Sequence, residues 1–280
     1  MIIIKIKGGL GNQLFQYAVG RAVALDHKSP LKLDLTIFKT YKLHKYLLDQ
    51  FVIQADIATE NEIVKLKGRN NMLFSALRKA SLIKRKSYFK EKRSSYFDAS
   101  VFKNNCVYLD GYWQNELYFS DIRELLLREL TSISSMSDLG CAYLEGIKKS
   151  NSISLHVRRG NYLNLKNFNV LDVDYYMKAV EYIRKNVEKP TFYIFSDDLE
   201  WCKNSLGFLD GCIFVDRTKT EIDDLKLMSF CQHNIIANSS FSWWAAWLNQ
   251  NSKKTVIAPK GWLLNDPGSS NVIPSAWVKL

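Results

Sequence analysis

The sequence SLHVRRGNY, residues 154–162, places a histidine and two adjacent arginines at the end of an apolar run. That run, Ile153 to Val157, predicts a buried strand that carries the cationic pair Arg158-Arg159 into a loop. Two guanidiniums in this position can form bidentate, charge-assisted hydrogen bonds to a diphosphate. The alternative is a pair of surface arginines beside a strand end, and these nine residues alone do not decide between the two.

Apolar strands and amphipathic helices alternate through the rest of the chain. The predicted strands are 191–195, 213–215, 234–237 and 255–258, and the predicted helices are 175–187, 222–231 and 242–249. This alternation predicts a parallel α/β sheet. Because ligands of such sheets bind beyond the carboxyl ends of the strands, residues just past those ends are candidates for a common site.

Polar residues follow four of the predicted strands. They are His156, Arg158, Arg159, Asn161, Ser196, Asp197, Asp198, Asp216, Arg217, Asn238, Ser239, Ser240 and Ser242. The three serines also open a helix, whose first N–H groups and hydroxyls can hold a phosphate. The alternative of simple N-capping explains one serine of the three.

The pair Asp197-Asp198 admits two interpretations. Two carboxylates after a strand are typical of magnesium sites, whereas a carboxylate can also accept hydrogen bonds from a ribose hydroxyl or a base N–H. The second use is favoured, because the arginine pair could neutralise a diphosphate without a metal. The five cysteines and four histidines form no C-x-x-C or HExxH pattern, so neither a disulfide framework nor a histidine-based metal site is expected.

The chain opens with a strand over residues 1–7, a Gly8-Gly9-Leu10-Gly11 turn and a helix from Asn12 to Leu25. Leucine at position 14 breaks the dinucleotide pattern G-x-G-x-x-G. What remains is a backbone that a ligand can approach closely, with Asn12 and Gln13 at the helix start. The alternative is that these glycines only turn the chain.

Two further strands of this half end in polar residues. Asp34 lies in the predicted strand 31–35, and Trp113 and Gln114 follow the strand near residue 109. An aromatic and amide cluster can stack on and bond a sugar, although aromatic residues after a strand also serve as core. The serine-rich segment 132–138 resembles a linker, which predicts domains 1–138 and 139–280.

The net charge of +11 is concentrated in residues 64–93, where eleven basic residues stand against one acid, Glu91. An amphipathic helix is predicted for 72–86, and it suits binding to an anionic lipid surface. The alternative is a helix that packs on its own domain and exposes its cationic face to solvent. The remainder of the chain is close to neutral, so no nucleic-acid partner is expected. Without an apolar leader or an 18-residue apolar run, the expected location is the cytoplasm, with contact to the inner membrane face through residues 64–93.

Five segments in order give the chain a family resemblance. They are GGLGNQLFQY (8–17), GYWQ (111–114), HVRR (156–159), FSDD (195–198) and IANSSFSWW (236–244). With them the chain resembles the bacterial α-1,2-fucosyltransferases of glycosyltransferase family 11, from the first strand to Ala258. The resemblance implies a GT-B α/β fold of two Rossmann-like domains with the active site in the cleft between them.

The resemblance also implies an activity. Such enzymes invert the anomeric centre and move fucose from GDP-fucose, without a metal or other cofactor, to a galactose-type hydroxyl of a glycan. The acceptor would be a galactose-terminated oligosaccharide, lipid-linked where it belongs to an O-antigen-like surface polysaccharide. Two alternative functions remain. One is a GT-B transferase that uses another GDP-sugar or forms another linkage, and the other is a basic protein that binds lipid or nucleic acid.

Residue roles follow from the same resemblance. Arg158 or Arg159 would bind the β-phosphate, with Asn12 positioning the substrate. The other donor-side residues would be His156, Asn161, Ser196, Asp197, Asp198, Asn238, Ser239, Ser240 and Ser242, and the acceptor-side residues Gly11, Asn12, Gln13, Asp34, Trp113 and Gln114. Asn161 stands where many relatives have aspartate, so a role that needs a charge there is in doubt. No general base is evident, since Asn12 cannot accept a proton effectively.

Overall fold

The computed structural model describes residues 1–40, 43–68, 87–93, 95–164, 170–207, 209–216, 218, 220–263 and 267–280, apart from the side chains at 161, 164 and 267. The chain forms two compact units, Met1–Ile133 and Ser134–Leu280. The segment interpreted as a linker belongs to the second unit from residue 134 onwards. Lys226 donates to the carbonyl of Ser134, and the Ser137 hydroxyl donates to Asp223 over 3.0 Å.

The first unit is a five-stranded parallel sheet with helices. Its strands are β1 (Ile2–Lys5), β2 (Leu31–Asp34), β3 (Asp56–Ile57), β4 (Tyr88–Lys90) and β5 (Val107–Asp110), in the order β3-β2-β1-β5-β4. The α-helices among its described residues are α1 (Leu10–Asp26), α2 (Glu60–Lys67) and α3 (Arg123–Glu129).

Strand β1, at the centre of this sheet, starts with three consecutive isoleucines. Ile2, Ile3 and Ile4 of β1 have no exposed surface, as expected for a strand covered on both faces. Gly20 lets α1 approach closely, because a Cβ at this position would lie 2.8 Å from Cγ2 of Ile4. The strand-turn-helix opening is therefore held tightly against the middle of the sheet.

The second unit is a six-stranded parallel sheet. Its strands are β6 (Asn151–Val157), β7 (Pro190–Ser196), β8 (Ile213–Phe214), β9 (His233–Ile235), β10 (Val256–Ala258) and β11 (Val278–Lys279), in the order β11-β10-β9-β6-β7-β8. Its helices are α4 (Asp138–Lys148), α5 (Val173–Asn186), α6 (Leu199–Ser205), α7 (Glu221–Phe230) and α8 (Ser240–Leu248).

Helix α8 is apolar on all sides and lies in the interior, as such a helix must. Trp243, Trp244 and Trp247 are buried, with the rings of Trp243 and Trp244 5.2 Å apart. The indole N–H of Trp243 donates to the carbonyl of Val272 over 2.8 Å. This packing fixes the start of α8 immediately after the end of β9.

The alternating pattern predicted after residue 150 is confirmed, with helix α6 and strand β11 as additional elements. Among its described residues, the first unit contains two strands and one α-helix that the sequence did not predict, β3, β4 and α2. The amphipathic helix predicted for 72–86 lies outside the described residues. Within the described residues, every helix is too short or too polar to cross a membrane.

Candidate functional site

The carboxyl ends of three neighbouring strands meet in the second unit. β6 lies between β7 and β9, with Val157 opposite Ser196 and Leu155 opposite Ile235. The loop after β6 reaches the loop after β9, because the Tyr162 hydroxyl donates to the carbonyl of Asn238 over 3.4 Å. The strand-end residues predicted from the sequence are thus brought together at one edge of the sheet.

The two arginines after β6 are held by the two aspartates after β7. Nη1 of Arg158 lies 3.0 Å from Oδ2 of Asp197, and Nε of Arg159 donates to Oδ2 of Asp198 over 3.2 Å. The other oxygen of Asp197 accepts from the backbone N–H of Arg159 over 2.9 Å. The aspartates therefore act as supports for the arginines, a contact that the sequence did not predict.

Gly160 permits this arrangement. A Cβ at position 160 would lie only 2.3 Å from Oδ2 of Asp197, far inside van der Waals contact. The carboxylate of Asp197 thus lies directly against the backbone of the loop, and only a residue without a side chain leaves room for it. The glycine after the arginine pair is a packing requirement of the site.

Aromatic rings add a second set of contacts to the guanidiniums. The Arg159 guanidinium lies over the Trp201 ring at 4.2 Å from its centroid, and that of Arg158 over the Tyr162 ring at 5.2 Å. Trp201 reaches this position because Asp198 caps helix α6 by accepting from the Trp201 N–H. Neither aromatic residue was predicted as part of the site. The N-cap spacing of Asp198 and Trp201 is the sequence signal that could have identified Trp201.

The site presents directed cationic donors to solvent. The side chains of Arg158 and Arg159 are 27% and 18% exposed, so their guanidiniums are partly accessible. A guanidinium has five N–H donors in a fixed plane, and the hydrogen bond to Asp198 uses one of those of Arg159. The carboxylates reduce the local charge but hold the donors in one orientation, which suits recognition of a planar or tetrahedral oxyanion.

His156, the penultimate residue of β6, is a buried imidazole. It is 5% exposed, its ring is 5.9 Å from that of Phe241, and its Nδ1 has no hydrogen-bond partner. Burial, with a further contribution from the Arg158 charge, lowers the pKa of His156 to about 3. The imidazole is therefore uncharged at neutral pH and adds hydrogen-bonding groups to the site without a charge.

The start of α8 completes this edge of the sheet. Ser239 is the N-cap residue, yet its side chain makes no capping hydrogen bond, and the first turn contains no acid. Ser240 is half-buried, whereas the Ser242 hydroxyl is buried and donates to the carbonyls of Ala237 and Ser239. N-capping therefore does not explain Ser239, and Ser242 is committed to its own backbone. Asn238 is buried and donates to the carbonyl of Trp262 over 3.1 Å.

Four other residues were predicted at these strand ends, and the structure describes the side chains of two of them, Ser196 and Asp216. The backbone N–H of Asp198 bonds the Ser196 hydroxyl over 2.9 Å, so this serine shapes the turn after β7. The side chain of Asn161, together with Arg217, lies outside the described residues. Asp216, after β8, accepts from the Tyr143 hydroxyl over 3.1 Å. Nowhere in the described ranges do three His, Cys, Asp or Glu side chains cluster as a metal site would require.

In the first unit the glycine turn holds Asn12 in place. Gly8 has φ +81°, which favours glycine, and a Cβ there would lie 2.9 Å from Nδ2 of Asn12. The amide oxygen of Asn12 accepts from Nε2 of Gln114 over 2.8 Å. Two residues predicted from separate motifs, 102 positions apart, are thus in direct contact next to Gly11.

Three predicted acceptor-side residues have structural roles instead. Gln13 is fully buried and binds the carbonyls of Gly8 and Lys45 and the N–H of Leu47. Asp34 is fully buried, and its two oxygens accept from Thr36 and from the Tyr108 hydroxyl. Trp113 is fully buried against Phe89 and Tyr118, so it cannot stack on a sugar. The contacts that commit these side chains come from distant parts of the chain, which the sequence does not reveal.

The exposed aromatic residue of this motif is Tyr112, which was not among the predicted site residues. Its ring lies under the Lys7 ammonium at 4.5 Å, and Lys7 also pairs with Asp110 at 3.2 Å. Glu91 anchors the turn by accepting from the backbone N–H groups of Tyr112 and Trp113 over 2.6 and 2.9 Å. The one acid in the basic segment is therefore a structural anchor, and burial raises the pKa of its carboxyl group.

Two parallel α/β units, with a supported guanidinium pair at the strand ends of the second, are the arrangement expected of a glycosyltransferase of the GT-B class. The chain belongs to glycosyl transferase family 11, whose family model matches residues 1–277. An alpha-1,2-colitosyltransferase of Escherichia coli is 33% identical over 100% of this chain and 99% of its own length.

More distant relatives agree with this assignment. The galactoside 2-alpha-L-fucosyltransferase Sec1 of Mus musculus is 24% identical over 89% of this chain and 64% of its own length. Among solved structures, Arabidopsis thaliana FUT1, mutant R284K in complex with GDP, covers 91% of this chain and 69% of its own with a TM-score of 0.52 and 13% identity. That likeness concerns the fold, and it supports the GT-B class.

Proposed function

We propose that this glycosyltransferase moves a fucose-type sugar from its GDP ester to a hydroxyl group of a galactose-type residue, forming an α-1,2 linkage with inversion. The observation that supports this most strongly is the pair Arg158-Arg159, oriented by Asp197 and Asp198 at the ends of β6 and β7. The relationship to galactoside 2-alpha-L-fucosyltransferases supports the sugar and the linkage.

The arginine pair suits the transition state of such a transfer. As the bond from the sugar carbon to the β-phosphate oxygen breaks, negative charge develops on that oxygen and the sugar becomes oxocarbenium-like. A guanidinium already held by a carboxylate and an aromatic ring needs no reorganisation to meet that charge, so its interaction is strongest at the transition state. In this proposal the two guanidiniums replace a divalent metal at the diphosphate. The start of α8 would bind the same anion through Ser239 and Ser240.

The second candidate donor is GDP-colitose, which the 33% identity to a colitosyltransferase over the whole chain favours. Colitose is fucose without the 3-hydroxyl group. A site that hydrogen-bonds that hydroxyl would reject colitose by about 10⁴-fold, because its buried polar groups would lose their partner. A site that accepts colitose would be apolar at this position and would discriminate only weakly against fucose.

The test is a turnover assay with purified protein, both donors and a panel of β-galactosides, in buffer with EDTA. We expect GDP release that depends on acceptor, and a product whose new linkage is α-1,2. Release of GDP only after Mg²⁺ is added would contradict the metal-free mechanism. Turnover with neither donor, together with salt-dependent retention on anionic lipid or nucleic acid, would favour the alternative of a basic binding protein.

The acceptor proposed here is a galactose-terminated oligosaccharide, lipid-linked in the synthesis of an O-antigen-like surface polysaccharide. A lipid-linked acceptor would be reached most easily from the membrane surface. The basic segment 64–93 would supply that contact, at about 1 kcal/mol for each Lys or Arg near an anionic surface. In the described part of the segment, four of its cations are exposed: Lys65, Lys90, Lys92 and Arg93.

A further inference from the structure

Three large apolar side chains lie exposed next to one another in the first unit. Tyr96, Phe97 and Leu117 are 38%, 41% and 59% exposed. The ring of Phe97 packs on the ring of Tyr118 with centroids 4.9 Å apart, and Leu117 directly precedes Tyr118 in the chain. We call these three residues the apolar patch. Exposed apolar groups that lie together, rather than singly, indicate a surface that contacts another partner.

The backbone under the apolar patch is held by two buried side chains. The Tyr118 hydroxyl donates to the carbonyl of Tyr96 and accepts from the N–H of Asp98, each over 2.9 Å. The side-chain amide of Asn115 donates to the carbonyl of Ser95 over 3.0 Å. Both Tyr118 and Asn115 are less than 5% exposed. The patch is therefore built on a fixed backbone, and its exposure does not come from a loose loop.

The exposed charges around the apolar patch have one sign. In the described ranges 88–93, 95–103 and 115–118, every exposed charged side chain is a cation, and the four are Lys90, Lys92, Arg93 and Lys103. The guanidinium of Arg93 lies over the Tyr96 ring at 5.2 Å from its centroid, so a cation lies directly on the patch. Aromatic rings flanked by cations suit a membrane interface, where the rings enter the boundary of the acyl chains and the cations meet anionic headgroups.

The acids of the same ranges are less accessible than the cations. Glu91, Asp98 and Glu116 are half-buried. Glu91 accepts from two backbone N–H groups, and Asp98 accepts from the N–H of Ser100 over 3.0 Å. A flat anionic surface that approaches the patch would therefore meet exposed cations before it meets these carboxylates. This charge complementarity favours an anionic lipid surface over a cationic partner.

The patch is joined to the proposed acceptor-side turn of the same unit. The segment 115–118 begins immediately after Gln114, whose Nε2 donates to the amide oxygen of Asn12 over 2.8 Å. A lipid surface that contacts Leu117 would thus lie a few residues from this pair. That position suits an acceptor whose lipid stays in the membrane while its sugar reaches the turn.

We propose that the apolar patch inserts into an anionic lipid surface, an inference that rests on the proposed function only for the lipid-linked acceptor. The basic segment 64–93 attracts the surface through charge, an interaction that salt screens. Tyr96, Phe97 and Leu117 add the burial of apolar side chains, which salt does not screen. Burial of one such side chain corresponds to about a tenfold change in a partition coefficient.

The experiment compares Leu117→Ser with the matched control Ile57→Ser in vesicle flotation. Ile57 is 65% exposed and lies in β3, at the opposite edge of the sheet from β4, which leads into the patch. The vesicles contain phosphatidylcholine and phosphatidylglycerol in equal parts, and vesicles of phosphatidylcholine alone serve as the neutral comparison. We expect Leu117→Ser to lower the partition coefficient on the anionic vesicles by about tenfold, with Ile57→Ser unchanged. Phe97→Ser should have the same effect as Leu117→Ser, and both should keep wild-type turnover with a soluble galactoside.

Two results would overturn the proposal. One is wild-type partitioning in both Leu117→Ser and Phe97→Ser, which would mean that the cations bind the surface without the patch. The other is a wild type that does not bind anionic vesicles; if it forms a dimer that Leu117→Ser dissociates, the occupant of the patch is a second copy of the chain. Failure of the proposed function is a separate outcome, since the wild type would then release no GDP from either donor, whatever the flotation shows.

Discussion

Substitution of Gly160 by alanine tests how the arginine pair is held. The added methyl group would lie 2.3 Å from Oδ2 of Asp197, whereas van der Waals contact between carbon and oxygen requires more than about 3 Å. The carboxylate therefore has to move by close to an ångström. That movement lengthens the 3.0 Å contact to Arg158 and the 2.9 Å hydrogen bond to the N–H of Arg159.

The size of the effect follows from these contacts. Overpacking costs about 1–3 kcal/mol, and hydrogen bonds to a charged group contribute about 1.5–3 kcal/mol each, less where they are partly exposed as here. We expect a loss of about 1–3 kcal/mol in stability. Because a displacement of an ångström at a catalytic group costs on the order of 100-fold in rate, kcat should fall by about that factor.

The assay measures GDP release and thermal unfolding for Gly160→Ala beside the control Gly207→Ala. A Cβ at Gly207 would meet no atom of the described residues within 4 Å, so the control should keep both its activity and its melting temperature. A Gly160→Ala protein with wild-type kcat would refute the view that the Asp197 carboxylate supports the arginines. Equal losses in both variants would also refute it, because the effect would then not depend on the contact.

Four further predictions follow. Arg158→Ala and Arg159→Ala should fold normally, with at least one losing 100-fold or more of kcat in the GDP-release assay, whereas the exposed-site control Arg184→Ala should be active. The pKa of His156 is about 3 in the folded protein and about 6.5 in the unfolded chain. Between these two pH values only the unfolded chain binds the proton, so the free energy of unfolding decreases as the pH falls from about 6.5 to about 3. From pH 7 to 5 the wild type should therefore lose about 2 kcal/mol more than His156→Gln in denaturant titrations; equal losses in the two proteins would be the contrary result. Trp201→Leu should raise KM for the donor or lower kcat, since it removes the ring under Arg159, and unchanged kinetics would leave that contact without a role. In liposome flotation the protein should bind vesicles that contain anionic lipid and not neutral ones, and indifference to lipid charge would exclude the membrane role of residues 64–93.

The fold of the second unit could be predicted because its central strands are buried on both faces and helices such as α5 are amphipathic. Local pattern was less informative for β3, β4 and β11, which are two or three residues long and form only because a neighbouring strand edge is available. Helix α2 depends on a capping box between Thr59 and Glu62, a signal present in the sequence but hidden in a segment of mixed polarity.

The candidate site was predictable in position but not in its contacts. The rule that ligands bind beyond the carboxyl ends of parallel strands located Arg158, Arg159, Asp197 and Asp198. It could not show that the aspartates bind the arginines, because that pairing joins loops 39 residues apart. For the same reason the strand-end rule could not show that Asn12 is half-buried whereas Trp113 is fully buried, because the burial of both side chains depends on distant residues.

The most direct test of the central claim is a binding titration with GDP and with guanosine, for the wild type and for Arg158→Ala and Arg159→Ala. If the arginine pair binds the diphosphate, the wild type should prefer GDP strongly, and at least one variant should lose most of that preference while it binds guanosine as before. Variants that both keep the wild-type affinity for GDP would contradict the account, because the diphosphate would then be bound elsewhere.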